Sequence, residues 1–121
     1  MQTVHGNVPS KSNCYQIVQI RDKSGKTIPS LAKAGSLKAY EKSFYLQAGV
    51  YRGRNIDGLF EFEIDVYYPS NRSDLDNSLK VVLDCLQHIS AIKNDNNCVK
   101  IVARKFVDKT NPRIEFQIKT I

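Results

Sequence analysis

Asp74, Asp76, Lys80 and Asp95 are the side chains whose types and spacing suit metal-assisted phosphodiester cleavage. They stand in the segment Asp74-Leu75-Asp76-Asn77-Ser78-Leu79-Lys80, with Asp95 following after an amphipathic stretch. A hard divalent cation such as magnesium takes oxygen ligands, commonly one or two carboxylates completed by waters and substrate phosphate. Two acids alone supply a weak site. A third, returning from the far end of a helix, would let the cluster hold one or two ions against a phosphate, where they could activate water and steady the leaving oxygen. Magnesium is the expected cofactor, with manganese as a substitute.

The same residues have plainer uses. An Asp at an N-cap with another in the first turn is ordinary helix chemistry. An EF-hand loop is a poor fit, because counting from Asp74 puts Leu79 where glycine is needed and Cys85 where glutamate is needed. Asp84, one turn past Lys80, is expected to pair with it on a solvated face for roughly 0.2–0.5 kcal/mol, and it stays outside the catalytic set. His5 and His88 have no partner at metal or triad spacing and read as surface residues.

The elements that must position these residues follow from periodicity. A helix from Leu75 to about Ile89 gathers Leu75, Leu79, Val82, Leu83, Leu86 and Ile89 into one stripe. Asp74 then falls at the N-cap, where its carboxylate could accept from free backbone N–H groups. Asp76 and Lys80 share a face, so the ammonium can reach that carboxylate or a phosphate beside it. Asp95 lies in the loop-like run Asn94-Asp95-Asn96-Asn97, before the apolar segment Cys98 to Phe106. For Asp95 to join the others, that segment must pack as a strand beside Leu59 to Tyr68.

Elsewhere, Cys14 to Arg21 is predicted as a first strand, joined by the turn Asp22 to Lys26 to a short returning segment at Thr27 and Ile28. A helix should start at a Ser36 cap and present Leu37, Tyr40, Phe44 and Ala48 on one face. The stretch from Gly49 to Gly58 breaks the pattern. Phe60, Phe62, Ile64, Val66 and Tyr68 alternate with Glu61, Glu63 and Asp65, a half-buried strand whose acids have the wrong phase to be ligands and should form a solvated face or face basic loops. Ile114, Phe116 and Ile118 repeat the alternation after the Asn111-Pro112 turn. The expected class is α+β, a small mixed β-sheet with helices packed mainly on one face, forming a single domain over residues 1–121.

The segment from Arg72 to Val99 resembles the RusA family of Holliday junction resolvases, which carries a D-[LI]-D-N-x-x-K segment, a helix, and an acid pair shortly before a strand. Val8-Pro9-Ser10-Lys11 also looks like that family's first turn, and Lys38-Ala39-Tyr40 sits where its first helix begins. The resemblance implies Asp74, Asp76 and Asp95 as metal-binding catalytic acids and Lys80 as the essential basic residue. It also implies branched four-way DNA as substrate and a homodimer that cuts two strands symmetrically; Lys11, Arg72, Asn77 and Lys80 are the candidate contacts to that DNA. Where the family shows two adjacent acids, this chain has Asn94-Asp95.

With 121 residues, a formal charge of +6 and a pI near 9.3, the chain suits a small protein that meets a polyanion. Its Lys and Arg are spread along the sequence rather than gathered in a tail, and Arg72 is the nearest phosphate clamp to the acids. Cys14, Cys85 and Cys98 are odd in number and lack paired spacing, which predicts free thiols. With no secretory signal and no membrane-spanning run, the expected location is the cytoplasm of a bacterium, with a phage or prophage gene included. Two other functions fit the composition. A non-catalytic basic DNA-binding protein would bind junctions without nicking them, and a protein-interaction adaptor would show a flat salt dependence toward DNA.

Overall fold

The computed structural model describes residues 1–10 and 14–121; Lys11 lies outside them. The described strands are β1 (Gln2–His5), β2 (Tyr15–Arg21), β3 (Thr27–Lys33), β4 (Phe60–Tyr68), β5 (Cys98–Val107) and β6 (Arg113–Thr120), with helices α1 (Gly35–Gln47) and α2 (Leu75–His88). Four strands form a mixed sheet in the order β1-β6-β4-β5, and β2 pairs with β3 as a separate ribbon. β4 runs antiparallel to β6 and parallel to β5. The α+β class expected from the sequence is the class observed.

β4 is the central strand. Phe60, Phe62, Ile64, Val66 and Tyr68 are all buried, because a strand's side chains alternate between faces and only one face meets the helices. Leu37, Tyr40, Phe44 and Ala48 of the first helical segment and Val82, Leu83 and Leu86 of α2 join these residues in one core cluster with Ile114 and Phe116. Phe116 is its hub, stacked on Phe44 with ring centroids 5.9 Å apart and tilted against Phe62 at 6.1 Å. Fully burying a side chain of this size stabilises the fold by about 1.5–3 kcal/mol.

Several boundaries differ from the sequence reading. β1 was not anticipated; it pairs with β6, Val4 opposite Ile114, and four residues carry too little periodicity to announce a strand. The segment expected to end at Ile28 continues to Lys33 through Pro29, tolerated because both strands of a two-stranded ribbon are edges. α1 is capped by Ala34 rather than Ser36, which lies in its first turn, and no side chain caps it. Glu63 and Asp65 face Arg104, and Glu61 faces Lys100, so the basic partners of these acids lie on the neighbouring strand β5 and not on loops.

Candidate active site

α2 begins where predicted, with Asp74 at the N-cap in extended geometry. The Asp74 carboxylate makes no capping hydrogen bond. The junction is instead fastened from below by Tyr68, the last residue of β4, whose hydroxyl donates to the Asp74 carbonyl at 3.3 Å and shares a 2.5 Å hydrogen bond with the buried Ser78 hydroxyl. Burial first, and then the nearby charges of Asp74 and Asp76, push the Tyr68 hydroxyl above its ordinary pKa, partly offset by Ser78. Tyr68 therefore stays a neutral donor under the acids, and the Asp74 and Asp76 carboxylates remain exposed and available to a ligand.

Asp95 arrives by the predicted route. β5 packs beside β4, in parallel register from Phe60 opposite Cys98, and Asp95 opens a short 3-10 turn (Asp95–Asn97) just before it. Asn94, standing where an acid was expected, caps this turn by accepting from the Asn96 N–H at 3.1 Å. The Asp95 N–H donates to Gln87 of α2 at 3.0 Å, which ties the loop to the helix.

Lys80 connects the two segments. Its ammonium donates to the Asp95 carboxylate and lies 3.1 Å from Asp84, the pair expected at helical spacing. It turns toward these two rather than toward Asp76, one helical turn away. The hydrogen bond from Lys80 to Asp95, reinforced by Asp84, holds the ammonium protonated above the usual lysine range. The parallel register explains this choice. It sets Asp95 near the start of β5, level with the beginning of β4, whereas Asp74 follows the end of β4, and α2 spans the distance between them. The structure thus joins Lys80, Asp84 and Asp95 directly, and places Asp74 and Asp76 at the N-terminal end of the same helix.

Among the described residues, no three His, Cys, Asp or Glu side chains form a ready-made metal cage. The donors still suit a hard cation that keeps several waters and needs only one or two carboxylates before substrate phosphate completes its shell. Asp74 and Asp76 are exposed, and neither pairs with a cation among the described residues. Arg72 is exposed in the loop before α2, its guanidinium meeting no carboxylate among the described residues, and Asn77 is half-buried beside Asp76. His5 and His88 are exposed, as expected. The cysteines are free thiols, and burial pushes Cys85 up to about 12, far from a reactive thiolate. Sequence reasoning missed Tyr68, Ser78 and Gln87. The closing Tyr of an alternating strand and a Ser at helical spacing from a cap are weak signals until the strand and helix are known to touch.

No curated protein matches the chain. A family profile described as endodeoxyribonuclease RusA matches residues 19–119, which takes in Asp74, Asp76, Lys80 and Asp95 and leaves the Val8-Pro9-Ser10-Lys11 turn outside. Since that match covers most of the 121 residues and carries the whole D-L-D-N-x-x-K segment, the chain belongs to the RusA family of endodeoxyribonucleases.

Proposed function

We propose that this protein is a magnesium-dependent, structure-selective endonuclease that resolves four-way DNA junctions by paired symmetric nicks, as one RusA-like domain per chain. The observation that carries this reading is the contact of Lys80 with Asp95 across the β4-α2-β5 unit, which ties the third acid to the helix that bears the other two. Asp74, Asp76 and Asp95 are the residues that would hold the metal, manganese being a substitute. A divalent cation bound there supplies Lewis-acid activation of water and charge neutralisation at the leaving oxygen.

The protein's own part follows from its geometry. Lys80 is held protonated, and its contact can pass from Asp95 to a phosphate oxygen, where one positive charge offsets the charge gained in the transition state. Tyr68 and Ser78 hold the Asp74 backbone, and Gln87 fixes the loop of Asp95, so the acids meet the substrate with little reorganisation. Lys11, Arg72 and Asn77 contact the DNA backbone around the cut.

One chain carries one site, so symmetric cutting calls for a two-fold dimer. Apolar surface left open on the edge strand β5, where Val99, Ile101, Phe106 and Val107 are 40–53% exposed, supports a partner chain. Sedimentation at micromolar concentration is expected to give a dimer; a monomer that makes both nicks in one encounter would refute this. No described helix is long and apolar enough to cross a membrane, and we place the enzyme in the bacterial cytoplasm, acting on host, phage or prophage DNA in recombination and repair.

The deciding assay incubates the protein with a labelled mobile four-way junction and with matching linear duplex, each with and without magnesium, and maps the nicks. Magnesium-dependent paired nicks confined to the junction are expected. Among the described residues no three donors form a ready-made cage, which favours one other reading, a non-catalytic junction-binding protein. Tight junction binding with no nick in either metal decides for it.

A further inference from the structure

Lys105 is a basic residue that the RusA motif does not include. It stands on β5 opposite Val66, on the helix-facing side of the sheet, and is half-buried. Its ammonium donates to the Asn71 carbonyl at 3.3 Å and lies 5.8 Å from the centre of the Tyr68 ring. The Tyr68 hydroxyl in turn donates to the Asp74 carbonyl. Lys105 is therefore two contacts from the first acid, and it grips the loop that carries Arg72.

Its burial sets it apart, for the other described Lys and Arg that meet no carboxylate, Arg72 among them, are exposed. Lys33, Lys93, Lys100, Arg104 and Arg113 each meet at least one carboxylate, and Lys80 meets two. Lys105 meets none among the described residues. An ammonium has three donors, and here a single carbonyl uses one of them. Drawing a cation partly out of water without an anionic partner is unfavourable, and an anion reaching its remaining donors would offset that cost. The carbonyl it holds belongs to the loop that leads into α2, three residues before the Asp74 N-cap.

We propose that Lys105 binds a DNA backbone phosphate on the Asp74 side of the cut, so that Lys80 and Lys105 hold the strand from opposite ends of the acid cluster. The proposal rests on the nuclease reading for the placement of the strand, yet its test reads binding rather than cleavage. Each phosphate neutralised releases counterions, which steepens the fall of log K with log salt by about 0.9.

Binding of the four-way junction is measured by titration over a range of sodium chloride without divalent metal, for the wild type and for Lys105→Gln, Lys105→Arg and Lys100→Gln. Lys105→Gln keeps a donor for the Asn71 carbonyl but loses the charge, and its slope is expected to be shallower by about 1. Lys105→Arg should restore the slope. Lys100→Gln, on the opposite face of the sheet beside Glu61, should leave it unchanged. An unchanged slope in Lys105→Gln overturns the proposal, as does a loss shared by Lys105→Arg together with an equal fall in melting temperature, which would make Lys105 a loop clamp only. A wild type that binds no junction overturns both this proposal and the nuclease reading. A wild type that binds with the expected slopes but never nicks leaves Lys105 in place and overturns the nuclease reading alone.

Discussion

On the outer face of the sheet, Arg104 of β5 donates through Nε to Asp65 at 2.7 Å and through Nη2 to Glu63 at 2.5 Å, while Gln117 of β6 donates to the other Glu63 oxygen at 2.7 Å. On the flank of α2, Lys80 is held between Asp84 and Asp95. Both are one cation between two acids. The first cluster is closed: a planar guanidinium on β5 bridges two carboxylates of the neighbouring β4, the strands fixed by their ladder, and an amide fills a remaining acceptor. The second is open, because Lys80 is a compact point charge, half exposed, and Asp74 and Asp76, which pair with no cation among the described residues, lie up the same helix. Ion pairs that use up each other's hydrogen bonds hold a fold together; those that leave acids unpaired beside them keep room for a ligand.

The sharpest break in that comparison is expected in cleavage. Asp74→Asn, Asp76→Asn and Asp95→Asn should each abolish junction cutting while keeping or tightening binding, since each removes ligand charge and repulsion of phosphate. Arg104→Ala should cut at the wild-type rate. If Asp95→Asn cuts normally, its place as third ligand is wrong and its contact with Lys80 is structural. Next in size is Lys80→Ala, expected to bind the junction but to cut on the order of 10²-fold more slowly, the usual loss for one preorganised stabilising group. Lys80→Arg should recover only part of the rate, because a planar fork does not replace a compact charge. Wild-type cutting by Lys80→Ala at saturating magnesium removes it from the mechanism.

Much of the site was legible in the sequence, and for identifiable reasons. The span of α2, the N-cap place of Asp74, the Lys80 and Asp84 pair, and the strand pairing that returns Asp95 were all readable. Helix periodicity and a single long alternating strand are local signals. The contact of Lys80 with Asp95 was not readable, since only the parallel register of β4 with β5 brings Asp95 to the flank of α2. The support beneath Asp74 was likewise hidden, because the approach of Tyr68 to the Asp74 carbonyl and to Ser78 is a tertiary fact. β1 and the length of β3 were lost for a different reason: a four-residue strand and a strand containing Pro29 carry no periodic signature of their own.

Tyr68 tests whether the open cluster depends on its support. Tyr68→Phe keeps the ring in the core but deletes both hydroxyl contacts and leaves the Ser78 hydroxyl buried without its partner. A loss of about 1–3 kcal/mol is expected in urea unfolding, the range for stranding a buried polar group. Cleavage should fall less than in Lys80→Ala, since the acids stay in place. A double variant, Tyr68→Phe with Ser78→Ala, should recover part of the stability by removing both partners. If the single variant is as stable as wild type, the hydroxyl pair does not hold the start of α2.

The smallest expected effects distinguish the clusters by pH. Hydrogen bonds from Arg104 first and Gln117 second hold Glu63 below its ordinary value of 4.5. Its contribution to stability is therefore full above 4.5 and lost as pH falls through the lower folded value. Lys80 has the opposite sign: Asp95 first and Asp84 second raise it above 10.5, so its contribution is full below 10.5 and lost as pH rises through the higher folded value. In melting temperature against pH, Glu63→Gln should flatten the acid limb alone and Lys80→Ala the alkaline limb alone. Both groups are exposed enough for salt to screen them, so each difference should be small and shrink further at high ionic strength. Should Glu63→Gln leave the acid limb as steep as in the wild type, the Arg104 cluster does not stabilise the sheet, and the contrast between a closed and an open cluster loses its first half.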